Sequence, residues 1–255
     1  MTVARLALVA LCAMPSLLVA QQPTPEPGGV VAPPAAADSA LPFSRPNGAL
    51  IRTGASTYRL SLVRQAQTTS LGTRTVEISD SPIGGAPAWL ITEHRTGTVV
   101  PTNDSLWVAR ADLTPIRWVA SIDRTQLAAS FTPDSVFGAL QSYRGRASFA
   151  AALLPGVLVT PAMAERVVEL LPLRSGYRAT ASLLLLDMGT PRTLPTELFV
   201  ESEARTHVGS GDVDCWVVVL RAGAIEERLW VSKGSPRVVR TEQGVGGGLL
   251  VGEEM

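Results

Sequence analysis

The sequence predicts a mainly β chain, a meander of antiparallel hairpins with roughly ten or more strands and a single helix. Three observations point to this. Apolar and polar residues alternate with a period of two through most of residues 58–241. Turn-forming residues separate the alternating runs, as in Arg221-Ala222-Gly223-Ala224 and Lys233-Gly234-Ser235-Pro236. Only residues 161–171 carry an apolar stripe at helical spacing.

Before the strands lie two other segments. Residues 1–20 read as a secretory leader, with one charge at Arg5, an apolar run over 6–14 and a small-residue exit at Val19-Ala20-Gln21. A spanning helix needs roughly 20 apolar residues to cross about 30 Å of hydrocarbon, and Pro15 interrupts the run too soon. The mature chain is therefore expected to lack a transmembrane segment and to be periplasmic or secreted. Cys12 follows Leu11, where a lipoprotein signal wants a small residue, so lipidation is not expected. Residues 21–41 form a linker with Pro23, Pro25, Pro27, Pro33 and Pro34, whose fixed φ and missing donors favour extended chain. One β-rich domain is expected over residues 42–243, followed by a loose Gly-rich tail over 244–255.

Within the domain, Tyr58, Leu60 and Leu62 alternate with Arg59 and Ser61, and residues 73–78 repeat the theme after a turn expected at Leu71-Gly72. Trp89 and Ile91 alternate with Leu90, Thr92 and His94. A short strand at 106–108 precedes one in which Ile116, Trp118, Ala120 and Ile122 share a face. Residues 126–131, 135–140 and 144–149 add shorter segments. The helix follows. Thr160 is its N-cap and Pro161 takes the first position, where a missing N–H costs nothing. Met163, Ala164, Val167, Val168 and Leu171 form the stripe; Glu165, Arg166 and Glu169 are expected to face away, and Pro172 stops the helix. Strands resume at 177–186, 193–208 with a bend expected near Pro195, 213–220, 225–231 and 237–241. Residues 183–186 and 213–220 are apolar at both parities, so both of their faces need cover; the helix can supply one as a plug inside a curved sheet.

Composition narrows the chemistry. With 22 basic and 22 acidic residues, and Arg5 leaving with the leader, the chain has no basic excess to neutralise nucleic-acid phosphates or to seek anionic lipid. Cys215 is the one cysteine outside the leader, so no intrachain disulfide forms, and its apolar neighbours Val213, Trp216, Val217 and Val218 mark a core thiol. His94 and His207 lack metal-ligand spacing. No G-x-S-x-G elbow, H-E-x-x-H helix, Asp-Thr-Gly or Asp-Ser-Gly occurs, and the glycine runs at 209–211 and 244–248 do not open a helix after a strand. Asp212 and Asp214 flank Val213 as turn acids, and Glu201, Glu203, Arg205 and His207 share one solvated strand face. No cofactor, metal or enzyme activity is expected; a hydrolase would need Asp212, Asp214 or His207 to converge in one cleft.

The five tryptophans, Trp89, Trp107, Trp118, Trp216 and Trp230, all lie in strand patterns. They suit core packing, or the lining of an apolar cavity that a curved sheet encloses.

The text Leu170-Leu171-Pro172-Leu173-Arg174-Ser175-Gly176-Tyr177, the long strand into Val208-Gly209, the run Asp214-Cys215-Trp216-Val217-Val218, and Leu229-Trp230-Val231-Ser232-Lys233 followed by Arg237-Val238-Val239-Arg240 resemble an uncharacterised family of bacterial envelope β proteins. That domain-of-unknown-function family is similar in architecture to the lipoprotein-carrier half-barrels of the LolA and LolB kind. The resemblance implies an unclosed β half-barrel, or strongly curved antiparallel sheet, wrapped around the helix. In carriers of that shape the concave side holds acyl chains. The family brings no settled activity, and no arginine here matches a carrier's functional position.

The leading expectation is thus a non-enzymatic envelope protein holding a lipid-like or apolar ligand in a half-barrel concavity. Trp118, Leu183, Leu185, Trp216, Val218 and Trp230 are the expected lining, with their facing set by a register that the sequence leaves open. The alternative is a structural or interaction module that meets an envelope protein partner through an exposed strand edge or the linker, with no ligand and no cavity.

Overall fold

A computed structural model describes residues 41–97, 101–187, 190–209 and 211–255. The expected leader, with Cys12, and all of the expected linker except Leu41 lie outside them. In chain order the elements are β1 (Leu41–Pro42), β2 (Gly54–Arg64), β3 (Gln67–Asp80), β4 (Ala88–Gly97), β5 (Thr102–Ala109), β6 (Pro115–Ile122), β7 (Thr125–Phe131), β8 (Ser135–Ser142), β9 (Gly145–Ala152), β10 (Val157–Leu158), α1 (Pro161–Glu169), β11 (Arg178–Asp187), β12 (Thr190–Val208), β13 (Gly211–Ala222), β14 (Ile225–Ser232), β15 (Val238–Val245) and β16 (Gly248–Glu254).

All the described strands belong to one sheet. Its path runs β1-β11-β12-β13-β14-β15-β16-β2-β3-β4-β5-β6-β7-β8-β9, with β10 paired beside β1 on the outer edge of β11. Neighbours along the path are antiparallel, hairpins between consecutive strands and one long-range pairing of β16 with β2, apart from the short parallel pairings of β1 and β10 with β11. The sheet curls until β9 comes within 8 Å of β12 without pairing to it. The barrel is therefore unclosed, and α1 fills its concave side.

Period-two burial fixes the inward face. On β2, Tyr58, Leu60 and Leu62 are buried while Arg59 is exposed. The ladders carry that parity around the sheet: Leu198 pairs with Leu220, Val218 with Leu229, Tyr58 with Arg74, Ile78 with Ile91, and Leu106 with Trp118. Helix α1 starts as expected, Thr160 Oγ1 accepting the Met163 N–H at 3.1 Å with Pro161 in the first turn. Its stripe of Met163, Ala164, Val167, Val168 and Leu171 joins the main core.

Four expectations need correction. Residues 244–255 are not a loose tail. Gly246 and Gly247, at φ +48° and +77°, make the tight turn that two left-handed residues allow, and β16 then pairs with both β15 and β2. That strand joins the two halves of the sheet. The first hairpin turns at Gln65-Ala66, both left-handed, rather than at Leu71-Gly72. Gly72 instead lies beside a bulge opposite Leu60 and Ser61, where a Cβ would meet the Thr96 carbonyl oxygen at 2.0 Å. β12 is continuous through Pro195 and is irregular at Glu201, between Val200 and Ser202. Its pairing with β13 begins only at Glu197, so Pro191 and Pro195 face no β13 donor or acceptor on that side. Finally, Glu165 and Arg166 do not face water. They are 0% and 7% exposed, because a helix seated inside the concavity has no outward face.

Candidate functional site

Inward parity, followed strand by strand, reaches residues that are not apolar. Arg74 on β3, Glu93 and Arg95 on β4, Asp104 on β5 and Glu227 on β14 all take concave positions, and Glu165, Arg166 and Glu169 of α1 meet them or their neighbours. Arg74 lies at the centre. One guanidinium nitrogen is 2.5 Å from Glu165 and another is 2.8 Å from Glu93. Glu93 also pairs with Arg95 at 2.6 Å. Arg166 is 3.1 Å from Glu169 and donates to the Tyr58 hydroxyl at 3.3 Å. The Tyr58 hydroxyl donates to the Val238 carbonyl, and the Val238 N–H donates to Glu169. The helix is thereby tied to β2, β3 and β15.

Burial opposes charge here, and the pairings decide which groups keep it. Burial pulls the Arg74 guanidinium down, but Glu165 and Glu93 more than offset this and raise it. Burial pushes Glu93 up, yet Arg74 and Arg95 hold it at about 2. The remaining carboxyls are not so served. Burial, only partly offset by Arg166, raises Glu169 to about 7. Burial together with Glu93 raises Asp104 to about 6, and burial together with Glu165 raises Glu227 to about 7.

Next to this network, between the first turn of α1 and the hairpin ends of β6–β7, β11–β12 and β13–β14, lies a cavity of about 370 Å³. Its walls are mainly apolar: Trp118, Ala120 and Ile122 from β6, Leu183 and Leu185 from β11, and Leu220 from β13. Its polar lining includes Arg95, Thr102, Asp104, Glu227 and Gln243. A second void of about 30 Å³ shares Arg95, Pro161, Glu227 and Gln243 and extends to Arg74, with room for about one water. Trp118 Nε1 reaches Asp104 at 3.4 Å. Glu227 keeps part of its surface open and has no ion pair or hydrogen bond among the described residues, while Asp104 has that one tryptophan.

Of the expected lining, Trp118, Leu183 and Leu185 border the cavity. Trp216, Val218 and Trp230 do not. Val218 is fully buried in the main core, and Trp216 packs against that core, away from the cavity, beneath Lys233. Trp230 points outward into a small second cluster with Cys215, Val208 and Val239. Because Val218 pairs with Leu229, the adjacent Trp230 must take the opposite face. Leu184 and Leu186 also border the cavity, in keeping with a strand that is apolar at both parities.

Other sequence candidates lie elsewhere. Asp212 pairs with His207 at 2.8 Å and Arg205 at 3.3 Å on the exposed β12–β13 hairpin, and His207 holds its carboxyl below the usual range. Glu201 pairs with Arg228 on the outer face, whereas the bulge at Glu201 sets Glu203 opposite Trp216, where it pairs with Lys233; Glu201 therefore does not share the expected face with Glu203, Arg205 and His207. The Cys215 thiol is buried, and burial pushes it up to about 11. The interior charges were missed in the sequence, although a signal was there: Arg74 shares parity with Val76 and Ile78, Glu93 with Trp89 and Ile91, and Glu227 with Leu229 and Val231.

No family model matches the chain, and no curated protein matches it in sequence. Two solved structures are similar in shape. One is a beta-barrel-like protein of the domain-of-unknown-function family DUF1849 from Brucella abortus, at 10% identity and a TM-score of 0.49, covering 80% of this chain and 97% of that one. The other is the hypothetical lipoprotein YmcC from Escherichia coli, at 12% identity and a TM-score of 0.31, covering 78% and 82%. The half-barrel assignment rests on this chain's own strand pairing.

Proposed function

We propose that this protein is a non-enzymatic binding protein of the cell envelope that holds one apolar or lipid-like ligand in the concavity of its half-barrel. The observation that carries this is the mainly apolar cavity of about 370 Å³ beside α1. That volume lies near the small end of the roughly 300–1,000 Å³ typical of ligand pockets. At roughly 30 Å³ per water-sized group it takes about a dozen heavy atoms, hence a single short chain and its head. Ten buried methylenes would contribute about 8 kcal/mol. Association costs at least about 4 kcal/mol, so the head-group contacts decide whether binding is useful. An exported location is supported by the leader-like residues 1–20. Among the described residues, no helix is long and apolar enough to cross a membrane.

The interaction-module alternative wanted an open edge and no cavity. β9 does offer eight residues with no further strand paired outside them among the described residues. The cavity favours the ligand. Native mass spectrometry of the protein purified gently from its own envelope tests this. A reproducible adduct in the lipid mass range, absent from Ala120→Phe at the 2%-exposed cavity wall, is the expected result. A clean apo mass with no uptake of added amphiphiles would overturn the proposal.

A further inference from the structure

We propose that the cavity selects an amphiphile with a cationic amine head, neutralised by Glu227 and Asp104, over one with an anionic head. This rests on the ligand-binding function proposed above and names the chemical class of its ligand.

The charge inventory of the interior leads there. Among the described residues, each guanidinium of the network already has a carboxylate: Arg74 has Glu93 and Glu165, Arg95 has Glu93, and Arg166 has Glu169. Asp104 and Glu227 are left over. Both line the cavity, and neither has a cation within ion-pair distance among the described residues. A third group adds an acceptor. Thr102 is 4% exposed, lines the cavity opposite Arg95 on the neighbouring strand, and its Oγ1 has no hydrogen-bond partner. A buried hydroxyl without a partner is costly, and an ammonium brings three donors to such a place.

An anionic head finds the reverse. Among the described residues, Arg95 is the only guanidinium on the wall of the main cavity, and Glu93 holds it at 2.6 Å. The N-terminus of α1 borders the cavity through Pro161 and Ala164, but it offers little to an anion: Pro161 has no N–H, and Thr160 takes the N–H groups of Met163 and Ala164. The charged groups around Glu227 are Glu165, Arg74, Arg95 and Glu93; those around Asp104 are Glu93, Arg95 and Arg74. The arginines in both sets already face Glu93 and Glu165, and the one unpartnered N–H, Arg74 Nε, belongs to a side chain on the small void rather than the wall of the main cavity. Accordingly, both free carboxyls sit above their ordinary values, and an ammonium close by would restore their charge.

Calorimetric titration of the full protein with decylamine, decanol and decanoate tests this. At about pH 7.5 decylamine should bind at least about tenfold more tightly than decanoate, as a charge-assisted hydrogen bond against like-charge repulsion implies. Decylamine affinity should fall several-fold on acidification to about pH 5, as the two carboxyls take up protons. In Glu227→Gln/Asp104→Asn, checked for an unchanged far-UV spectrum, the preference should shrink to about threefold or less. Decanoate or decanol binding as tightly as decylamine to the unmodified protein would overturn the amine assignment and leave the apolar-ligand function standing. No binding by any of the three, together with a clean apo mass, would overturn both.

Discussion

Replacing Arg74 by methionine gives the sharpest test of the interior network. Arg74 and its two carboxylate partners have side-chain exposures of 5%, 1% and 0%. Removing one partner of a buried ion pair costs about 3–5 kcal/mol, because the charge left behind is uncompensated. The lower end applies here: Glu93 keeps Arg95 at 2.6 Å, and only Glu165 is stranded, with Arg166 at 3.5 Å. At about 2–4 °C per kcal/mol for a domain of this size, Arg74→Met should lower Tm by roughly 6–12 °C. Removing the stranded charge as well should restore most of the loss. Arg74→Met/Glu165→Met is expected within about 1–2 kcal/mol of the unmodified protein, since a buried pair replaced by apolar groups of similar size is often neutral. The assay is urea unfolding followed by far-UV circular dichroism and tryptophan fluorescence, accepted where the two transitions coincide. A single-variant loss under about 1 kcal/mol, or a double variant whose loss equals the sum of the two singles, would refute the reasoning.

Three further outcomes are expected. Thr160→Ala removes the acceptor of the Met163 N–H and should cost about 1 kcal/mol, read as a Tm drop of a few degrees. Ala66→Gly should raise stability by roughly 0.5–1 kcal/mol in the same unfolding assay, because Ala66 is exposed and held at φ +65°, where glycine carries no Cβ penalty. Stability should be greater at mildly acidic pH than at pH 8. Asp104, Glu169 and Glu227 are raised by burial to about 6, 7 and 7, so the folded state holds their protons more tightly than the unfolded one and loses that advantage as pH rises through those values. Glu93, held at about 2, acts in the other sense and loses its contribution below about 4.5. The raised groups give their full contribution only near and below their unfolded values, so the optimum falls near about pH 4 and stability declines from there toward pH 8; a Tm higher at pH 8 than at pH 5 would contradict these assignments.

The sheet was legible because alternation is a local property. Tyr58-Leu60-Leu62 and Trp118-Ala120-Ile122 announce their inward face without any partner strand. The helix was equally plain, since Thr160 and Pro161 mark its start and the stripe gives its period. Where local cues misled, the cause was tertiary. Gly244 to Gly248 reads as loose until β2 supplies the second neighbour that makes β16 an interior strand. Nothing in Gln65-Ala66 announces two left-handed residues, whereas Gly72 looks like a turn and serves a bulge. The cavity was half legible for the same reason. Trp118, Leu183 and Leu185 carry their own parity, but Trp216, Val218 and Trp230 needed the Val218–Leu229 register to be assigned a face.

The interior charges were hidden for a more instructive reason. A charged residue is ordinarily read as evidence for an outward face, so Glu165, Arg166 and Glu169 suggested a solvated side of α1. An apolar helix lying in an apolar trough has no unique seat, because the attraction between its stripe and the sheet is non-directional. The contacts of Glu165 with Arg74, Arg166 with Tyr58, and Glu169 with the Val238 N–H are directional, and together they admit one rotation and one depth of the helix. With α1 held at that depth, its first turn stops beside Ala120, Leu183 and Leu220 rather than filling the space between them. The ion network and the apolar cavity are thus two results of one arrangement: polar ties fix where the plug ends, and the unfilled length of the half-barrel beyond it is the cavity to which the proposed function assigns a ligand.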